Sequence, residues 1–375
     1  MVIIPDSFKG TISSREAGNI LREEAAAQWP QAEIRCVEVA DGGEGSVDAF
    51  LSAMHGEKKY VSAQGPYGNL MSGFYGKIGS TAVIEMAAVA GLPLVGEDLR
   101  PGSTSTYGVG QLLSAALDDG AKEIILCLGG SCTNDGGTGA AAALGVRFLD
   151  SHGTSFIPVG DTLNRIAHID LSQRDPRVEQ VNIIVMCDID NPLCGPSGAS
   201  AVFGPQKGAT PEQVRQLDTG LLHMAQVIHM DLGTEVLNLP GSGAAGGMGA
   251  GCVAFFGASL HSGIDVVLDT VHFEEMLDNC SMVITGEGQI DGQSIRGKVI
   301  TGIARRAQKR GIPVVAIVGS IGEDAEAMYD VGVSAIFSII PRPEPFSDAK
   351  EHAFENLRRA AHNLFRFTAA MERNS

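Results

Sequence analysis

The chain has 375 residues, 44% of them hydrophobic and 19% charged, with a formal net charge of −17. That is length enough for two domains with a sizeable core and too apolar for a disordered chain, while the negative field excludes nucleic acid and anionic membrane as partners. Seven cysteines without a framework spacing, together with the absence of any apolar run of membrane-spanning length, point to a reducing, cytoplasmic setting.

Residues 1–5 read as a short apolar strand stopped by Pro5. Ser13 and Glu16 form a capping box ahead of a helix with Ala17, Ile20, Leu21 and Trp29 at helical spacing. Residues 34–39 read as a second strand and 41–45 (DGGEG) as a glycine-rich turn into a second helix. If the two strands are parallel neighbours, Asp6, Ser7, Lys9, Asp41 and Glu44 fall on one edge, a candidate substrate crevice. Either loop alone is an ordinary turn.

The middle of the chain mixes signals. Residues 76–87 read as a hairpin, 106–120 as a helix ending at Gly120, 123–130 and 182–190 as buried strands, and 211–232 as an amphipathic helix with Pro211 in its first turn. Residues 128–144 (LGGSCTNDGGTGAAAAL) leave a strand and enter an alanine-rich helix. Unhindered backbone amides aimed at a helix N-terminus can hold an anion, and Gly130, Ser131, Thr133, Asn134 and Asp135 supply more polar groups than a structural turn needs. Asp188, Asp190 and Asn191 follow the next buried strand, with Ser200 and Lys207 in the loop beyond it; two aspartates beside a phosphate loop suit magnesium, although Asp and Asn are also turn formers. Gly241, Gly243 and Gly246 make a GxGxxG with Asp265 downstream, the one feature favouring a nicotinamide-dependent hydroxy-acid dehydrogenase; the polar, Pro240-terminated segment before it is a poor strand, so Gly246 and Gly247 read better as close packing or a nucleotide-phosphate loop.

Strands and helices alternate again at the far end, with strands at 282–285, 313–318 and 334–340 and helical stretches at 298–310 and 323–330. Two strands at the start and three at the end suggest an α/β fold in which a flavodoxin-like parallel-sheet domain, residues 1–64 and 266–375, is split by an inserted α/β domain, residues 65–265. Residues 292–299 match a P-loop except at Val299, where Ser or Thr would hold magnesium. Phosphoryl transfer needs positioning and charge neutralisation rather than that particular loop. Lys298 can neutralise phosphate, while Glu287 and Asp291 can hold metal or accept a hydroxyl proton.

Six segments in this order, PDSFKG (5–10), VADGGEG (39–45), GGSCTNDGG (129–137), CDIDNPLCGPSGASAVFGPQKGA (187–209), GAAGGMGA (243–250) and GEGQIDGQSIRGK (286–298), resemble the bacterial glycerate kinase family over essentially the whole chain. The resemblance implies transfer of the ATP γ-phosphate to D-glycerate with Mg2+, giving 2-phosphoglycerate, with a 3-phosphoglycerate-forming enzyme as the alternative. On this reading Asp291, Glu287, Lys9, Asp188 and Lys207 are catalytic; Ser7, Asp41, Glu44, Ser294 and Lys298 bind substrate; Gly130, Ser131, Thr133, Asn134, Asp135, Gly246 and Gly247 bind ATP; and Asp188 and Asp190 hold metal. Cys132, Gln289 and Ile300 depart from the expected pattern, Gln289 replacing a frequent arginine.

Overall fold

A parallel strand covered on both faces needs a continuous apolar run rather than an alternating one, and the two chain ends are built that way. In the computed structural model, which describes every residue except 9, 40–41, 296–298, 344 and 374–375, β1 (Val2–Pro5), β12 (Val283–Gly286) and β14 (Val314–Val318) are buried at every position. Flanked by β2 (Arg35–Cys36) and β16 (Val333–Ser338), they form a five-stranded parallel sheet in the order β16-β14-β12-β1-β2. Numbered within this unit alone, that is the flavodoxin order, whose direction reverses between β1 and β12. Their carboxyl ends are in register, Pro5 opposite Gly286. A crevice opens beyond such a reversal, where the two crossovers leave in opposite directions.

The helix Ser14–Gln28 begins with the expected capping box: Ser13 Oγ accepts the Glu16 N–H at 3.2 Å and Glu16 Oε2 accepts the Ser13 N–H at 2.9 Å. It packs with the C-terminal helix Ala353–Glu372 through a core that includes Ile3, Phe8, Leu21, Ile317, Leu357 and Phe365, with Trp29 edge-on to Phe365 at 5.8 Å. Beyond the main sheet, β13 (Gln289–Ile290) and β15 (Ser320–Ile321) pair in parallel, so the segments leaving β12 and β14 stay side by side.

The second unit carries a six-stranded sheet. Its order runs β11-β10-β6-β5-β4-β3, from β3 (Glu57–Gln64), β4 (Leu70–Ile78), β5 (Thr81–Glu85), β6 (Glu123–Cys127), β10 (Asn182–Met186) and β11 (Ser259–His261). The last four are parallel, and β3-β4-β5 is an antiparallel meander. Because β3 pairs with β4 along its whole length, residues 57–64 belong to this sheet, and the chain divides into residues 1–40 with 264–375 and residues 41–263. A small three-stranded sheet of β7 (Arg147–Leu149), β8 (Ser155–Phe156) and β9 (His168–Asp170) adds to the unit. The helix Pro211–Leu232 has Thr210 and Gln213 as its capping box and left-handed Gly233 at its end. Its Leu221 and Met224 join Ile84, Leu126, Phe148 and Phe255 in the core.

Candidate active site

In the second unit, parallel β6 and β10 end side by side, with Cys127 opposite Met186. The loops that follow them therefore emerge together at the carboxyl edge, where open α/β sheets bind ligands. After β6, Gly130 is exposed and left-handed at φ 73°, while Ser131, Thr133, Asn134 and Asp135 are buried. Beneath this loop lies Lys207, 2% exposed, whose Nζ donates to Ser131 Oγ at 2.8 Å and to the Thr133 carbonyl at 2.7 Å. Both acceptors are neutral. Burial lowers the lysine pKa from 10.5 to about 8, outweighing the opposite pull of the nearby Cys132 and Asp135, the sign expected when an ammonium leaves water.

Asp135 has a different task from the one the sequence suggests. It is fully buried and accepts from Thr106 N at 2.8 Å, Thr106 Oγ1 at 2.9 Å, Gly137 N at 3.1 Å and Gly139 N at 3.3 Å. Burial pushes its pKa up while the four donors pull it back. The carboxylate ties residues 135–139 to the start of the helix Tyr107–Asp118, so it shapes the loop rather than reaching out of it. Asn134 likewise turns inward, Nδ2 donating to Ser200 Oγ at 3.2 Å. Thr133 Oγ1 and Ser242 Oγ are buried without a partner.

The glycine-rich segment 241–250 packs on this loop backbone to backbone. Gly246 is left-handed at φ 67°, its carbonyl accepts the Gly136 N–H at 3.0 Å, and a Cβ placed there would lie 2.1 Å from the Thr133 carbonyl oxygen. A Cβ on Gly247 would lie 3.0 Å from Gly136 Cα. These glycines therefore serve close packing under the loop. No strand precedes Gly241, as residues 233–240 are turns and irregular chain, so the strand-turn-helix context of a dinucleotide fingerprint is missing.

Past β10, Asp188 and Asp190 are both exposed, and Asp188 Oδ1 accepts the Gly263 N–H at 2.6 Å. Among the described residues no three His, Cys, Asp or Glu side chains gather as a ready-made metal cage. Two carboxylates without a third protein anion still suit Mg2+, which keeps several waters and takes the rest of its ligands from phosphate. Glu44 is exposed in the turn ahead of the helix Ser46–Met54.

In the first unit the β1 and β12 ends present the other group of expected residues. Asp6 and Ser7 follow β1, the Ser7 N–H bonding Asp6 Oδ1 at 2.6 Å, and the Asp6 N–H bonds the Gly286 carbonyl at 2.8 Å. Glu287 follows β12 directly and is 6% exposed. Asp291 caps the short 3-10 helix Gly292–Ile295: its Oδ1 accepts the Ser294 N–H at 3.2 Å, and its own N–H bonds Ser294 Oγ at 3.2 Å. Ser294 is fully buried in this turn, and Gln289 Nε2 sits 3.5 Å from Asp291 Oδ2. Lys9, Asp41 and Lys298 lie outside the described residues.

Each unit thus gathers its own residues. Thr106 and Glu85 had no place in the sequence reading. Thr106 could have been found as the polar residue just before a helix. Glu85 sits at the end of β5, 3% exposed, its Oε2 accepting the Val47 N–H at 3.0 Å, and burial raises its pKa; no local pattern marks it.

Comparison with known proteins agrees with the motif order. The model of the "Glycerate kinase family" matches residues 1–369. A glycerate kinase of Halalkalibacterium halodurans is 46% identical over 97% of both chains, and the glycerate 2-kinase of Escherichia coli is 42% identical over 100% of this chain and 99% of its own. A crystal structure from Salmonella typhimurium, provisionally designated glycerate kinase 2, superposes with a TM-score of 0.87 at 43% identity, covering 99% of this chain and 98% of that one. On this full-length similarity the chain belongs to the glycerate kinase family.

Proposed function

We propose that this chain transfers the γ-phosphoryl group of ATP to D-glycerate and that the product is 2-phosphoglycerate. The observation that carries the reading is Lys207, an ammonium buried beneath the loop after β6 and held there by neutral oxygens. A cation with no carboxylate bonded to it keeps its field for an incoming anion, and in a dry site that field is far stronger than in water. In this reading residues 130–134 are assigned to phosphate through their backbone, Ser7, Asp41, Glu44, Ser294 and Lys298 to glycerate, and Lys9 to catalysis. Asp291 or Glu287 accepts the proton of the attacking hydroxyl. The hydroxyl oxygen forms the new P–O bond, the bond from the γ-phosphorus to the β–γ bridging oxygen breaks, and ADP carries that oxygen away.

Asp188 and Asp190 are the residues that would hold Mg2+, together with phosphate oxygens. The ion, when bound, would offset negative charge on the nucleotide. Seven cysteines without a disulfide-framework spacing support a reducing, cytoplasmic location, and no described helix is long and apolar enough to cross a membrane.

Choice of the 2-hydroxyl rests on the likeness to the protein named glycerate 2-kinase. Proton-coupled phosphorus NMR of a reaction with D-glycerate and MgATP tests activity and regiochemistry together. Phosphate on C2 couples to one proton and gives a doublet, the expected result; a triplet, from the CH2 of 3-phosphoglycerate, overturns the regiochemistry. ADP release that does not depend on glycerate overturns the kinase assignment. A glycerate-dependent change at the nicotinamide absorption band would revive the dehydrogenase.

A further inference from the structure

The chain passes between its two units twice, after residue 40 and after residue 263. Within the second unit, both passages are bonded to the segments that leave β6 and β10. At the first, the Gly42 carbonyl accepts the Gly129 N–H at 2.8 Å, and Gly129 opens the loop after β6. A Cβ on Gly129 would lie 2.5 Å from Gly43 Cα, and one on the left-handed Gly42 would lie 3.5 Å from Met186 Cβ at the end of β10. At the second, the His261 carbonyl at the end of β11 accepts the Cys187 N–H at 2.8 Å, and two residues later the helix Gly263–Thr270 begins. The Gly263 N–H donates to Asp188 Oδ1 at 2.6 Å, and a Cβ there would lie 2.8 Å from Asp188 Oδ2. We propose that Gly42 and Gly263 are positioning residues for the nucleotide and its metal, so that loading the site is felt at both passages. This role rests on the assignment of residues 130–134 to phosphate and of Asp188 to Mg2+ under the proposed function.

The chemistry of the two bonds gives each a direction. An ionised carboxylate is a strong acceptor for a backbone N–H. Asp188 is exposed while it holds the Gly263 N–H, so an ion can reach the carboxylate without breaking that bond. Mg2+ draws on the same oxygen electron pairs, and the bond to the Gly263 N–H weakens when it arrives. At the first passage the sign is opposite. Phosphate oxygens held by the amides of residues 130–134 fix the backbone that carries Gly129, and its bond to the Gly42 carbonyl is fixed with it. Glycine is required at 129 and 263 because the opposing group, backbone at one and carboxylate at the other, leaves no space for a Cβ. Each contact is therefore direct, and a displacement of either site segment reaches the chain that joins the units. Linkage makes the effect reciprocal, so a disturbance at Gly263 returns to the metal as lost affinity.

Hydrogen exchange of the full-length protein, read by mass spectrometry with ADP in EDTA and then with ADP and Mg2+, provides the test. ADP alone should slow exchange at residues 128–133 and 42–48 by about twofold or more, and Mg2+ should then speed exchange at residues 262–268 by a similar factor. Asp188→Asn keeps an oxygen for the Gly263 N–H and removes the charge that holds the ion. It should abolish the Mg2+ response at 262–268 and keep the ADP response at 42–48. Gly263→Ala adds one methyl group and no charge. In calorimetric titrations it should cut the gain in ADP affinity that Mg2+ gives by about fivefold or more, with the affinity in EDTA within about twofold of the parent's. ADP that alters residues 128–133 but neither passage would overturn the inference and leave the nucleotide assignment standing. So would a Mg2+ response at 262–268 that survives Asp188→Asn, or a Mg2+ gain in Gly263→Ala equal to the parent's. If ADP alters nothing, the nucleotide assignment and this role fall together. Asp188→Asn keeps the test open if Gly263→Ala does not fold.

Discussion

At the scale of single residues, Lys207 and Asp291 illustrate opposite uses of a charge. The folded-state pKa of Lys207 is about 8 against an ordinary 10.5, so keeping it charged at pH 7 costs on the order of 3 kcal/mol at ~1.4 kcal/mol per unit. Between those two values the unfolded chain binds more protons than the folded one, so this contribution to stability improves as pH rises. Below about 8 the penalty is complete; above 10.5 it is gone. Lys207→Met should therefore melt at or above the parent's temperature at pH 7, the gap should narrow in melts run from pH 8 to pH 10, and turnover should fall about 10²-fold or more. A Met variant that is less stable at pH 7 yet turns over normally would show a structural lysine. Asp291 gives the converse experiment. Asn keeps the oxygen that accepts the Ser294 N–H at 3.2 Å, so Asp291→Asn should melt within a few degrees of the parent while losing about 10²–10⁴-fold in turnover if the carboxylate accepts the glycerate proton. Turnover within a few-fold of the parent would leave Asp291 as a turn cap and move the base to Glu287.

At the scale of elements, the site of the second unit depends on one segment lying tight against another. Gly246 and Gly257 separate backbone strain from collision. Both are left-handed, at φ 67° and 65°, but a Cβ on Gly246 would lie 2.1 Å from the Thr133 carbonyl oxygen whereas one on Gly257 would meet nothing within 4 Å. Gly257→Ala should cost about 1 kcal/mol. Gly246→Ala should cost more, because residues 133 and 134 must move, and it alone should raise the KM for ATP; urea midpoints and steady-state kinetics on the pair decide. Equal costs and unchanged KM values would mean that the contact between segments 133–136 and 246–247 does not shape the nucleotide site. The same elements show what the sequence makes legible. The helices at 14–28 and 211–232 announce themselves through Ser13, Glu16 and Pro211, residues whose side chains act within one turn. β3 does not, because Glu57, Lys58 and Lys59 hide a strand whose pairing with β4 is decided by the partner rather than by its own pattern. β8, at two residues, is too short to carry a period. Nor can a pattern distinguish the fully buried, four-donor Asp135 from an aspartate that faces a ligand, since a polar residue in a glycine-rich loop reads the same either way.

At the scale of the whole molecule, the alternation of strands at both chain ends already implied a sheet closed by distant segments, and the register shows why neither end suffices. β1 lies between β2 and β12, pairing with residues some 280 positions later in the chain. Residues 264–375 alone would leave the β1-facing edge of β12 open, and every residue of that strand is buried in the intact protein, an invitation to edge-to-edge aggregation. Residues 41–263, in contrast, contain all six strands of their own sheet and the core built from Ile84, Leu126, Phe148 and Phe255. Expressed alone, the fragment 41–263 should be monomeric on size exclusion and unfold in urea as one cooperative transition followed by far-UV circular dichroism, while the fragment 264–375 should be insoluble or molten. The single tryptophan, Trp29, packs on Phe365 in the other unit, so in the full-length protein its fluorescence follows unfolding of the two-ended sheet while circular dichroism follows both. A gradual, non-cooperative loss of structure in the fragment 41–263 would mean that the inserted unit draws its stability from the chain ends, and the division into two folding units would have to be given up.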